Sequence, residues 1–188
     1  MKNEVETFKI ENEHATDSLR FLDPKNKNIL DLGCGRHTDR NGEWTLPLTE
    51  YTPIFSAIRG AKKIVGVDSR SSEKEYYDEY FKENFKDVET HFYTSLIENS
   101  EQVKTLIKDH DINYIKTDIE GYETLFLTWT KDDFNNVDDF VIEYHTEEIK
   151  NSFLNKLTEW GFEIYAQGTT WANGIGVLFT KKKINEIS

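Results

Sequence analysis

The stretch Ile29-Leu-Asp-Leu-Gly-Cys-Gly35 constrains the fold more than any other part of this chain. A short apolar run that ends in a pair of glycines reads as a buried strand breaking into a tight turn. Glycine has no Cβ, so the backbone there can approach a ligand closely. A second apolar run, Ile64-Val-Gly-Val67, closes on Asp68. In open α/β sheets ligands bind outside the carboxyl ends of the strands, and a carboxylate ending the next strand suits the two hydroxyls of a ribose. Glycine turn and carboxylate together point to a nucleoside cofactor.

Strand and helix patterns alternate along the rest of the chain. Strands are read at 29–32, 63–67, 88–94, 112–117 and 140–144, and helices at 53–59, from 72 onward, and at 96–109, 122–130 and 147–160. Thr52-Pro53 offers an N-cap followed by proline at the first helical position, and Ser72-Glu-Lys-Glu75 has the form of a capping box. Thr146 and Gly161 bracket the last helix as N-cap and C-cap. Tyr76, Tyr77, Tyr80 and Phe81 form an aromatic stripe expected in the core. The final strands, 162–166 and 176–181, are joined by a loop at 167–174, too short for a parallel crossover, so they pair as an antiparallel hairpin. The expectation is an α/β, Rossmann-like, mostly parallel seven-stranded sheet with a C-terminal antiparallel hairpin, built as a single domain over 1–188. Residues 1–28 read as an N-terminal cap segment with a short helix near 14–22. Residues 36–52 read as a lid or insertion loop, which Trp44, Leu46, Leu48 and Tyr51 would pack down.

Charge narrows the partners. Lysine and arginine number 23 against 35 aspartates and glutamates, a formal net charge of -12. Such a chain repels polyphosphate, so no nucleic-acid partner is expected. The single cysteine, Cys34, excludes an internal disulfide and a cysteine-cluster zinc site, and reads as a small packing residue. No stretch is apolar for long enough to span a bilayer, and the first residues lack the apolar core of a signal peptide. A soluble cytoplasmic protein, with no membrane partner, is the expectation.

Two nucleoside cofactors compete. The dinucleotide fingerprint requires a third glycine where Thr38 stands, and its ribose carboxylate follows about 20 residues on, whereas Asp68 stands 35 positions after Gly33. Both departures weaken a nicotinamide oxidoreductase. Ile29-Leu-Asp-Leu-Gly-Cys-Gly35 resembles motif I of the class I S-adenosylmethionine-dependent methyltransferases, whose sheet also ends in a β-hairpin. Ile115-Lys-Thr-Asp-Ile-Glu-Gly-Tyr-Glu123 resembles the Asp-x-Glu-Gly-x-Glu signature of the FkbM-type methyltransferases, and Val141-Ile-Glu-Tyr-His145 is similar to the Glu-x-His that follows it there. The resemblance spans roughly residues 28–180. Arg36-His37 occupy the turn where the family has a further small residue, and 36–52 has no counterpart in it.

The resemblance implies S-adenosylmethionine as cofactor, with the backbone of Gly33, Cys34 and Gly35 running along it and Asp31 near its amino-acid end. Asp68 would take the ribose hydroxyls, and Thr94 and Ser95 the adenine edge. Methyl transfer from a sulfonium is an in-line displacement that needs an acceptor in near-attack geometry and, for a hydroxyl, a base. Asp118 and Glu120, two apart at a strand end, would share a face, as would Glu143 and His145. His145 or Asp118 is read as the base, with Glu120 orienting the acceptor. Glu123 reads as a solvated charge. No metal ligands are assigned, although Asp118, Glu120, Glu143 and His145 make an oxygen-rich set compatible with magnesium or manganese, which the spacing does not require. The reading is a methyltransferase acting on a small-molecule or sugar hydroxyl. A non-catalytic, methyltransferase-like binding domain is the alternative outside the enzymes, and oligomeric state stays open.

Overall fold

The computed structural model describes residues 5–10, 19–36, 46–170 and 174–183. In chain order the strands are β1 (Glu6–Ile10), β2 (Asn28–Leu32), β3 (Lys63–Asp68), β4 (Glu89–Thr94), β5 (Tyr114–Thr117), β6 (Asp139–Tyr144), β7 (Phe162–Thr170) and β8 (Gly176–Lys182). The helices are α1 (Thr52–Ile58), α2 (Ser71–Asn84), α3 (Ser100–Asp109) and α4 (Glu147–Trp160), with 3-10 turns at Leu48–Glu50, Tyr122–Thr128 and Lys131–Phe134. All eight strands join one sheet in the order β1-β7-β8-β6-β5-β2-β3-β4. Only β8 runs antiparallel to its neighbours, as the closing hairpin requires.

The strand beyond the expected seven is β1, which adds parallel to β7 at the sheet edge. Its residues are mostly exposed, and its alternation is the single apolar pair Phe8 and Ile10, too short to mark a strand. The helix expected near 14–22 lies mostly outside the described residues, as do Trp44, Trp171 and His37. Part of the expected 167–174 loop is strand, since β7 runs on to Thr170 and pairs with both β1 and β8.

Local signals and tertiary contacts part company at the helix starts. Thr146 accepts from the Ile149 amide and Gly161, at φ 87, ends α4. The expected capping box at Ser72 does not form. α2 begins one residue earlier, so Ser72 lies inside the helix, its preceding residue Arg70 is extended, and no side chain caps the start. A capping box forms at α3, where Asn99 and Gln102 exchange side-chain-to-backbone bonds. The aromatic stripe is core on one side only: Tyr77 and Phe81 are buried, and Tyr77 stacks on Phe92 at 4.8 Å.

Period-2 alternation splits the sheet's side chains between two layers. Leu30, Leu32, Ile115, Ile142 and Leu178 pack with Phe126, Trp129, Phe153 and Trp160 on one face. Ile29, Tyr114, Val141, Val177 and Phe179 pack with Ile54, Ala57, Tyr77 and Ile10 on the other. On this second face the apolar positions of three central strands are each followed, two residues on, by a charge: Asp31, Lys116 and Glu143. The chain leaves β2 for β3 and β4, then returns through α3 to β5 on the other side of β2. This is a topological switch point, and the charges stand at its carboxyl end, where such sheets bind ligands.

Candidate active site

The crevice between β2 and β5 is held open and close at once by Gly33. The Gly33 amide donates to the Val67 carbonyl at 2.9 Å, and the Asp118 amide to the Leu32 carbonyl at 2.9 Å. Gly33 adopts φ 78, and a Cβ there would overlap the Asp118 carbonyl, so only glycine lets the two strand ends approach this closely. Above this crossing lies a cavity of about 340 Å³, near the lower end of small-molecule sites. Asp31, Gly33, Cys34, Gly35, Asp118, Glu120 and His145 all line it. Of the residues expected to bind cofactor or acceptor, Asp68, Thr94 and Ser95 lie outside its lining. They stand at the ends of β3 and β4, farther along the sheet, with Thr94 exposed and the Ser95 amide bonded to the Asp68 carbonyl.

The cavity floor is a buried charge cluster. Lys116 projects between Asp31 and Asp118, with its ammonium 3.3 Å from the one and 3.7 Å from the other. Asp31 is 1% exposed and neither of its oxygens has a well-formed hydrogen bond, so it relies on that ion pair. Burial pushes the Asp31 carboxyl up, against the pull of Lys116. Burial alone would lower Lys116, but Asp31, Asp118 and Glu143 more than reverse it and hold the ammonium above its ordinary value. Glu143, half-buried beside Asp118, is pushed up to about 8 by desolvation and by that like charge.

His145 stands over this floor, just past the end of β6. Its Nε2 is 3.9 Å from Asp118 and 3.6 Å from Glu120, and its Nδ1 is 3.3 Å from Glu123. Glu123 is the residue that sequence reading took for a surface charge, and it is fully buried. One oxygen accepts from the Ile119 amide at 3.0 Å, and the other has no hydrogen-bond partner. Glu123 holds the His145 imidazole up to about 9, with burial opposing, so the ring carries its proton at neutral pH.

One expectation about this region is corrected. Asp118 and Glu120 do not share a strand face, because β5 ends at Thr117. Glu123 captures the Ile119 amide, the Tyr122 amide turns back to the Ile119 carbonyl, and Glu120 takes a left-handed φ of 53. Its carboxylate is 84% exposed at the cavity rim, while Asp118 stays inside. Lys116 and Glu123 were both missed as site residues. The available signal for Lys116 was a lone charge inside an otherwise apolar strand.

Asp118, Glu143 and His145 each offer a ligand atom, all within 4.8 Å of one another. Two carboxylates and an imidazole would suit magnesium or manganese. Cys34 is buried, with its thiol pushed up by desolvation, and fits the packing role expected of it.

No protein-family model matches this chain, and no curated protein matches it. Solved structures do. A ribosomal protein L11 methylase from Lactobacillus delbrueckii subsp. bulgaricus aligns over 92% of this chain and 81% of its own, with TM-score 0.58 and 15% identity. A Streptococcus pneumoniae protein assigned as a tRNA (m1A22) methyltransferase, solved with S-adenosyl-L-methionine, aligns over 92% and 74%, with TM-score 0.54 and 14% identity. A Streptococcus mutans protein assigned as a methyltransferase, solved with SAH, aligns over 92% and 99%, with TM-score 0.54 and 13% identity. The chain therefore has the Rossmann-like fold of the S-adenosylmethionine-dependent class I methyltransferases. Among the described residues no helix is long and apolar enough to cross a membrane.

Proposed function

We propose that this chain is an S-adenosylmethionine-dependent methyltransferase, of FkbM type, that methylates a hydroxyl of a small molecule. The observation that carries the reading is the shared cavity: the glycine turn and Asp31 line the same space as Asp118 and His145. Cofactor end and acceptor end thus meet, as a displacement at carbon demands. The charge balance supports the cofactor as well. The cavity lining carries Asp31, Glu50, Asp118, Glu120 and Glu143 against Lys116 and His145, so acids outnumber cations even with Glu143 protonated, which suits a sulfonium and an α-ammonium group.

S-adenosylmethionine would supply an activated methyl, with the C–S bond breaking as the O–C bond to the acceptor forms. The backbone at Gly33 and Gly35 would face its methionine end, with Asp31 lining the same cavity. Lys116 keeps Asp118 anchored at the floor while Asp118 or His145 removes the hydroxyl proton. His145 is charged at neutral pH in the resting protein, so it serves as base only after losing its proton. Glu120 at the rim orients the acceptor. Asp118, Glu143 and His145 are the residues that would hold a divalent ion, whose chemistry would be to acidify a bound hydroxyl.

The acceptors named for the structural neighbours, a ribosomal protein and a tRNA, do not carry over at 13–15% identity. An acidic cavity in a chain of charge -12 disfavours a phosphate-rich acceptor. A neutral or cationic molecule with an apolar body fits better, because Val141, Val177 and Phe179 form the cavity's inner wall. Sugar hydroxyls remain within that class only when uncharged. The test is transfer of labelled methyl from S-adenosylmethionine to a panel of neutral and carboxylated phenols and glycosides. Labelling of neutral members that disappears in Asp118→Ala supports the reading; labelling of carboxylated members alone, or of RNA offered beside the panel, overturns the acceptor class.

A further inference from the structure

The groove that leads from the glycine turn to Asp68 is already bridged by the protein itself. Asp68 ends β3 with its carboxylate 11% exposed, and Arg70, two residues on, binds it three ways. The Arg70 Nε donates to Oδ1 at 3.0 Å, its Nη2 reaches Oδ2 at 3.5 Å, and its backbone amide donates to Oδ1 at 2.9 Å. The remaining arm, Nη1, donates to the Arg36 carbonyl at 3.2 Å, on the far wall. The guanidinium also fills the room that Gly35 leaves. A Cβ on Gly35 would overlap Arg70 Nη2 and press on Asp68 Oδ2. Close backbone approach is the usual reason for such a glycine. Here the group that approaches is a side chain of the same chain.

We infer that Arg70 is a removable strap across the nucleoside groove that sets cofactor affinity by competing with the ribose for Asp68. The inference rests on the cofactor reading given above. A ribose diol would donate to the same two carboxylate oxygens that the guanidinium holds, and both cannot occupy them together. The Arg70 side chain is 48% exposed, so it can swing to solvent without disturbing the core. Half-exposed ion pairs are weak enough to be displaced. The residue therefore acts on binding from outside the chemical centre, as a determinant of affinity and of nucleoside selection.

Calorimetric titration with S-adenosylhomocysteine tests this on the intact protein. Arg70→Ala should tighten binding about three- to ten-fold, the range expected for releasing one partly exposed charge-assisted contact. Arg70→Gln, which keeps length and loses charge, should shift affinity in the same direction and guards against a turn loosened by truncation. Raising salt from about 0.05 M to about 0.5 M screens the Asp68–Arg70 pair, so the gap between wild type and variant should narrow. A residue that merely steadies the turn would give the reverse, weaker binding in both variants. Equal or weaker binding in Arg70→Ala and Arg70→Gln overturns the strap and leaves the cofactor reading standing. Failure of the wild type and both folded variants to bind S-adenosylhomocysteine overturns the cofactor reading, and the strap with it.

Discussion

The two sides of the β2 strand end treat their charges differently. Toward α2, Glu73 accepts from both the Arg36 amide at 3.0 Å and its guanidinium Nε at 2.9 Å, with the pair 3% and 4% exposed. Arg36 also lies over the Tyr76 ring, 3.3 Å from its centre, and Tyr77 donates to the Cys34 carbonyl. Toward β5 and β6 the acids outnumber the cations, Asp31 lacks a well-formed hydrogen bond, and Glu143 holds its proton up to about 8. Burying charge is costly unless it is paired and hydrogen-bonded. For the Glu73 carboxylate the α2 side meets that condition, and it acts as a clamp on the glycine turn. The β5–β6 side does not, and unmet polar demand beside a cavity is what a ligand-binding site requires.

Four changes would break or sharpen this contrast. The largest effect falls on the under-satisfied side: Asp118→Ala should lower methyl transfer by about 10²- to 10⁴-fold, the range of a lost general base, while leaving the melting temperature near that of wild type. On the clamped side Glu73→Ala should do the opposite. Stranding the buried Arg36 should cost about 3–5 kcal/mol in urea unfolding. A stability loss below about 1 kcal/mol would show that the clamp is not needed.

A smaller effect separates the candidate bases. Groups whose folded pKa is raised bind protons more tightly when folded, so the stability they lend is present at low pH and lost as pH rises through the folded value. His145 and Glu143 both fall in this class, raised to about 9 and about 8. Folding stability should decline from about pH 4.5, where Glu143 ionises in the unfolded chain, to about pH 9, and Glu123→Gln, by removing the main support of the imidazolium, should flatten the part above about pH 6.5. If His145 is the base, turnover rises over that upper interval, and the rise moves to lower pH in Glu123→Gln. A flat profile would exclude His145 as the base. The smallest effect is expected from metal removal. With Lys116 already at the floor, EDTA should leave turnover unchanged; a loss restored by magnesium would assign Asp118, Glu143 and His145 as ligands.

What was legible in the sequence was local. The Ile29–Gly35 strand and turn, the Thr146 and Gly161 caps and the closing hairpin each follow from neighbours a few residues apart. What was hidden depends on partners distant in sequence. β1 exists because β7 offers it an edge, and within Glu6–Ile10 the one local hint is the Phe8–Ile10 alternation. Glu123 looks like any helix-start acid until the His145 ring and the Ile119 amide close over it. The capping box at Ser72 fails because Ser72 already lies inside α2, whose first turn carries Glu73 inward to Arg36 beside the glycine turn. In the site, residue types and strand ends were readable, whereas the Lys116 ammonium between Asp31 and Asp118 became visible only once β2 and β5 were paired in register.

The central claim is that the cavity at the β2–β5 crossing receives S-adenosylmethionine. Its most direct test is calorimetric titration of the protein with S-adenosylhomocysteine, with NAD and the Asp31→Asn variant as controls. The account predicts saturable binding of S-adenosylhomocysteine that is weakened in the variant, and no binding of NAD. Preferential binding of NAD, or binding of neither nucleoside, would contradict it.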